Sequence, residues 1–258
     1  MSLTHLSLFS GIGALDAAAE HSGFTTLAMV EKDPCCQEVL KRHWPEVPVY
    51  DDVSTFDARP FVGVDLVSGG FPCQDISAAK PGAAGIDGAR SGLWRHMLRV
   101  VRECEPRFVF IENSPAARVR GIDRVFAELG DAGYTGGAFV VGAAHAGAPH
   151  FRARMFLVAH ANGFPQCPNR GQGRQVRHPQ RDRQAAQRGR PQLGIEPRGI
   201  AWWNTEPGVC RVAPGLTKWV DNQLRMLGNA CPPQQYIPVL TAIAGELQAA
   251  RELQESAA

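Results

Sequence analysis

The chain has 258 residues, 44% of them hydrophobic and 20% charged, a balance that excludes a disordered chain and suits a globular fold with a core of ordinary size. No run approaches the roughly 18 apolar residues that would span a bilayer, and the opening "MSLTHLSLFSGIG" has no basic leader, so a cytoplasmic protein with no membrane partner is expected. The net charge of +2 demands no polyanionic partner, and seven cysteines without a repeated C-x-x-C spacing predict free thiols and no metal site.

In chain order, short apolar runs at "HLSLF", "TLAMVE", "DLVSG" and "RFVFIE" read as strands. Between them, "GALDAAAEHSG", "PCCQEVLKRHW" and "GLWRHMLRVVREC" have helical length, and in the last Leu93, Met97, Val100 and Val101 recur at helical spacing. Strands alternating with helices predict an α/β fold with a doubly wound, mostly parallel sheet, Rossmann-like, whose ligands bind at the carboxyl ends of the strands. The later runs "GGAFVVGAAH" and "RMFLVAHA" lack a helix between them and predict an antiparallel pair at the sheet edge. Near His160 the composition turns to Arg, Gln, Gly and Pro, which predicts a main domain, 1–160 plus 222–258, and a small second region, 161–221. "NQLRMLGNACPPQQ" reads as a loop with a proline pair ahead of a helical tail.

The residues that stand out fall at predicted strand ends. "LFSGIG" runs a strand into a tight turn, Ser10-Gly11-Ile12-Gly13, at a helix N-terminus, a nucleotide-type cradle. The loop has no G-K-[ST], and Asp16 stands where a third glycine would complete G-x-G-x-x-G, so an adenosine ligand without a pyrophosphate fits best. S-adenosylmethionine is the obvious member of that class. Glu31, ending the next strand, is placed to accept from ribose hydroxyls, and Asp52, after "VPVYD", from an adenine amino group; the competing reading makes both acids loop caps. In "VSGGFPCQ", Cys73 leaves a strand end as either a small apolar filler or a nucleophile. Glu112 ends "RFVFIEN", and Arg152 and Arg154 in "PHFRAR" share one face at strand spacing. A thiol, a carboxyl and two guanidiniums suit attack on an electron-poor ring: the thiolate adds, the acid hydrogen-bonds a ring nitrogen, and arginine orients a carbonyl oxygen or a phosphate.

"FSGIG", "GGFPCQ", "IEN", the Arg-x-Arg of "PHFRAR" and "LGNACPPQ", in that order, resemble the motifs of the DNA (cytosine-5) methyltransferases and cover most of the chain outside 161–220. The resemblance implies an enzyme that methylates carbon 5 of a flipped-out cytosine in a specific duplex DNA sequence, with S-adenosylmethionine as cofactor, as in restriction-modification. It implies that Cys73 adds to carbon 6, that Glu112 engages ring nitrogen 3 and the exocyclic amine, that Arg154 binds the carbonyl oxygen, and that Arg152 supports the site and the DNA backbone. It also assigns Phe9, Gly11, Gly13, Glu31, Asp52, Pro72, Leu93 and Asn229 to the methyl-donor pocket; spacing alone would make Leu93 core and Asn229 loop.

Two departures are visible: His150 stands where the family often has glutamine, and "GNACPP" replaces a "GNAVVP"-like end. Neither removes a group the mechanism requires. The region 161–221 is short for a target-recognition domain, yet between 168 and 191 it holds seven arginines against one acid, Asp182, which favours DNA contact over a solvated loop. Trp202, Trp203 and Trp219 either stack on bases or pack this region. The alternatives are a transfer RNA cytosine-5 methyltransferase, which carries Pro-Pro-Cys where this chain has Phe71-Pro72-Cys73, and a catalytically silent DNA-binding module of the same fold. A monomer is expected.

Overall fold

The computed structural model describes residues 2–71, 92–119, 121–148, 150–164 and 218–256. They belong to one compact unit, Met1–Gln166 with Thr217–Ala258. Pro72, Cys73, the arginines between 168 and 191, Trp202 and Trp203 lie outside the described residues.

The described strands are β1 (Leu3–Leu8), β2 (Phe24–Val30), β3 (Val49–Tyr50), β4 (Leu66–Gly69), β5 (Phe108–Asn113), β6 (Tyr134–Val141) and β7 (Arg154–Ala161), in one sheet of order β3-β2-β1-β4-β5-β7-β6. β1 to β5 are parallel; β7 runs antiparallel to both β5 and β6, so the expected antiparallel pair is present with β7 inside and β6 at the edge. The chain winds outward from β1 to β3, returns to β4 beside β1, and winds the other way, leaving a crevice at the carboxyl ends of β1 and β4.

Side chains alternate across this sheet as strand geometry requires. Val109 and Ile111 of β5 and Leu157 of β7 pack with Trp94 and Met97 of α3 (Leu93–Cys104) and Val125 and Leu129 of α4 (Ile122–Asp131). Phe108 and Phe110 of β5 and Phe156 of β7 pack on the other face with α1 (Ala14–His21) and α6 (Pro233–Ser256). α6 presents Tyr236, Leu240, Ile243, Leu247 and Ala250, a stripe spaced by fours and threes, and all five are buried. α2 (Pro34–His43) starts on an Asp33 cap, whose carboxylate accepts from the Cys35 N–H at 2.9 Å.

One element departs from the sequence expectation. Residues 218–229, the end of which reads as loop, form helix α5 (Lys218–Asn229), and Trp219 lies in its first turn. Its Gln, Leu, Arg and Met are good helix formers, and the breakers Gly228, Asn229 and Pro232 fall only at its end. No described helix is long and apolar enough to cross a membrane.

Candidate active site

Because β1 to β5 are parallel, the residues that follow each strand meet along one edge, where a cleft of about 960 Å³ opens. Phe9, Gly11, Glu31, Asp52, Leu93, Glu112, Arg154 and Asn229 all line it. Gly13 and Arg152 do not line it.

The glycine turn follows β1. Phe9 takes φ +54°, a conformation that strains a non-glycine residue, and Gly11 and Gly13 take φ +57° and +83°. The two glycines serve different ends. Around Gly11 nothing lies within 4 Å of where a Cβ would sit, so its backbone is open, whereas a Cβ on Gly13 would run into the Trp44 ring and within 3.0 Å of Leu40. Glu31 ties the turn to the next strand, its Oε2 accepting from the Gly11 N–H at 2.7 Å and its Oε1 from the Asp33 N–H at 2.8 Å. A carboxylate has about four lone-pair sites, so Glu31 keeps about two for a ligand. Asp52 accepts from the Ser54 N–H at 2.8 Å and from Lys32 Nζ at 3.0 Å, and the Ser54 hydroxyl, together with these two contacts, holds its carboxyl down at about 2. Both acids therefore cap backbone and face the cleft, so the two sequence readings of them are compatible.

At the other end of the cleft, antiparallel pairing sets Glu112 opposite Phe156 and brings the start of β7 beside the end of β5. Arg154 Nε pairs with Glu112 Oε1 at 2.8 Å. Burial pushes the Glu112 carboxyl above its ordinary range, while Arg154, the Cys231 thiol and Arg152 pull the other way. Arg152, at φ +24°, turns away from the cleft: one terminal nitrogen donates to Gly228 O and Ala230 O, each at 2.6 Å, clamping the end of α5. Gln235 Nε2 completes the clamp by donating to Val141 O at 2.9 Å and Arg152 O at 3.1 Å. Among the described residues, no group of three or more His, Cys, Asp and Glu is arranged to hold a metal ion.

Sequence reasoning misses three participants. Gly70 leaves room for Glu112, since a Cβ there would lie 2.8 Å from Glu112 Oε2; the doubled glycine of "SGGF" is its only signal. Cys231 and Tyr236 line the cleft beneath Glu112 and come from the far end of the chain. The cysteine is visible in sequence only as a departure within "GNACPP".

The family model for C-5 cytosine-specific DNA methylase matches residues 3–193. Among curated proteins, the chain is 37% identical over 162 residues to Type II methyltransferase M2.BsuMI of Bacillus subtilis, covering 60% of this chain and 41% of that protein. It is 32% identical over 197 residues to Type II methyltransferase M.AquIA of Picosynechococcus, covering 67% of this chain and 79% of that one. The chain thus spans less than half of the first relative's length and most of the second's. Among solved structures, a protein described as a DNA modification methyltransferase encoded within an E. coli prophage superposes with TM-score 0.53 at 29% identity, covering 62% of this chain and 47% of that one. A Spodoptera frugiperda DNMT2 mutant superposes with TM-score 0.55 at 19% identity over 67% of this chain and 54% of its own, a likeness of fold alone. On the family match and the extent of these identities, the chain belongs to the C-5 cytosine-specific DNA methylase family.

Proposed function

We propose that this protein transfers a methyl group from S-adenosylmethionine to carbon 5 of cytosine in a specific duplex DNA sequence. One observation carries the reading: a single cleft joins a glycine turn with two strand-end acids to the half-buried Glu112–Arg154 pair. The donor fits the first end. Gly11 leaves its backbone open, Glu31 has lone pairs to spare for ribose hydroxyls, Phe9 and Leu93 offer apolar walls for an adenine, and the turn carries no basic side chain for a pyrophosphate. Asp52, Pro72 and Asn229 complete the pocket in this proposal. S-adenosylmethionine supplies the electrophilic methyl group that carbon 5 takes up.

The chain's residues supply the rest. The Cys73 thiolate adds to carbon 6 of a cytosine turned out of the duplex, forming an S–C6 bond and making carbon 5 nucleophilic. Glu112, whose burial favours the protonated form, donates to ring nitrogen 3, where the displaced electron density accumulates. Arg154 donates to the carbonyl oxygen, and Arg152 holds the α5 end that walls the cleft. Loss of the carbon 5 proton then returns an electron pair to the ring and expels Cys73. The region 161–221 would supply target recognition, its arginines contacting phosphates and giving affinity without reading sequence. A monomeric, cytoplasmic enzyme is consistent with these parts.

The test is transfer of label from S-adenosylmethionine to plasmid DNA, with bisulfite sequencing to locate the modified cytosine. Cys73→Ser is expected to abolish transfer and to keep donor binding, because a hydroxyl is a far poorer nucleophile near neutral pH. Transfer by this variant at the wild-type rate would sink the mechanism.

A further inference from the structure

The two oxygens of Glu112 have different surroundings. Oε1 pairs with Arg154 Nε at 2.8 Å and accepts from the Cys231 thiol at 3.7 Å. Oε2 lies on the Gly70 side, so close that a Cβ there would be 2.8 Å away. Cys231 is 3% exposed and sits in the link between α5 and α6, with Tyr236, in the first turn of α6, beside its sulfur. A thiol is thus held between a phenol and the carboxyl at the centre of the cleft. An apolar side chain of the same size would fill that space equally well, so the contact is a property of the thiol.

Building on the methyl-transfer reading above, we propose that Cys231, backed by Tyr236, is a positioning residue that fixes Glu112 Oε1 and leaves Oε2 to meet the target base. The shortest Arg154–Glu112 contact is at Oε1, on the side of the carboxyl where the thiol also lies. A second donor on the same oxygen holds the carboxyl in that orientation. The S–H group is a weak donor, so it orients the carboxyl without locking it ionised, as a second guanidinium would. Among the described residues, the charged and titratable groups near Glu112 are Arg154 at the start of β7, Arg152 just before it with its guanidinium bonded to the α5 end, and Cys231 and Tyr236 from α6 and its lead-in. Donation to a carboxylate favours the ionised form, so removing the thiol should move the Glu112 titration to higher pH.

Cys231→Val removes the donor and adds one carbon, Cys231→Ala removes it with one heavy atom fewer, and Cys231→Ser puts a donor back. The readouts are the Glu112 carboxyl titration, followed by carbon NMR on glutamate-labelled protein and assigned by its loss in Glu112→Gln, and kcat for methylation of duplex DNA. The valine variant should titrate at higher pH and lose about fivefold in kcat, as expected for one weak hydrogen bond, with unchanged KM for S-adenosylmethionine and unchanged Tm. The serine variant should return both towards wild type. A valine variant with wild-type titration and kcat overturns the proposal, and so does a serine variant no different from valine. If valine lowers Tm, Cys231→Ala with the same two measurements decides. The titration needs no turnover: if the wild-type protein moves no methyl group to DNA, the functional reading fails while the titration still decides the role of Cys231.

Discussion

The two ends of the cleft are built in different ways. At the glycine-turn end the contacts are local: Gly11 to Glu31 and Lys32 to Asp52 each join residues 20 apart, across successive β-α units. At the Glu112 end they are remote. Arg152 reaches Gly228 across 76 positions, Gln235 reaches Val141 across 94, and Cys231 meets Glu112 across 119. The first end is shaped by backbone, with positive φ angles and N–H groups held by carboxylates; the second is shaped by side chains converging from β5, β7 and the link between α5 and α6. Damage at one end should therefore read out in donor binding or stability, and damage at the other in turnover.

The largest separation between the ends should come from Glu112→Gln. Glutamine keeps the shape but cannot transfer a proton to a ring nitrogen, so kcat should fall roughly 100-fold or more, the usual scale of acid–base catalysis. Donor affinity by calorimetry should stay within about twofold, since the first end is untouched. Loss of donor binding in this variant would show that the two ends are one energetic unit.

Gly13→Ala is the converse test. The new methyl meets the Trp44 ring and Leu40 at a φ of +83°, which alanine adopts only with strain. A stability loss of about 2 to 3 kcal/mol by denaturant titration is expected, together with weaker donor binding. Full donor affinity and stability would mean that Trp44 swings aside at no cost.

This contrast also explains what the sequence disclosed. β1, β2 and β4 are legible because each apolar run stops at a glycine or an acid and a helical stretch follows, and stops of the same kind mark Glu31, Asp52 and Glu112. The proximity of Glu112 to Arg154 depends on β7 pairing with β5 as well as with β6, and the two apolar runs without a helix between them imply only the second pairing. Leu93 and Asn229 look like core and loop because their place in the cleft depends on how α3 begins and where α5 ends. α5 is masked by the breakers at its end, and α4, with its stripe of Ile122, Val125 and Leu129, is passed over when strands lead the reading. The Cys231–Glu112 contact has no local signature, because the fold of the whole chain creates it. The reason for Gly70 lies 42 positions away, in the carboxyl it makes room for.

Glu31→Ala should give a smaller effect, confined to the first end. It removes the acceptor for the Gly11 and Asp33 N–H groups and the lone pairs offered to the donor, so S-adenosylmethionine binding should weaken by about 2 kcal/mol. The kcat at saturating donor should change little. Unchanged affinity by calorimetry would leave Glu31 as a loop cap only.

The smallest effect concerns a carboxyl under the glycine turn. Asp16, in the first turn of α1, is fully buried, and neither of its oxygens meets a donor at hydrogen-bond geometry. Burial raises its titration from 3.8 to about 7, and the nearby Ser7 hydroxyl offsets only part of this. Below pH 3.8 folded and unfolded chains both carry the proton, so the stability is fully present; as pH rises towards 7 the unfolded chain releases the proton first, and stability is lost. His5 acts in the opposite sense. Bonded to Thr26 at 2.9 Å and Ser68 at 2.7 Å inside the sheet, it is lowered by burial from 6.5 to about 3, so its stability is present above pH 6.5 and lost as pH falls towards 3. The two trends cancel in part between pH 4 and 6.5, and only Asp16 acts just above that window. Asp16→Asn, which keeps the neutral shape at every pH, should therefore come nearest to wild type in Tm at about pH 4 and exceed it at pH 8. The gain should be on the order of 1 kcal/mol, because the ionised wild-type carboxylate can relax towards Ser7 and water. An advantage equal at both pH values would show that the effect is packing and that Asp16 does not titrate in this range.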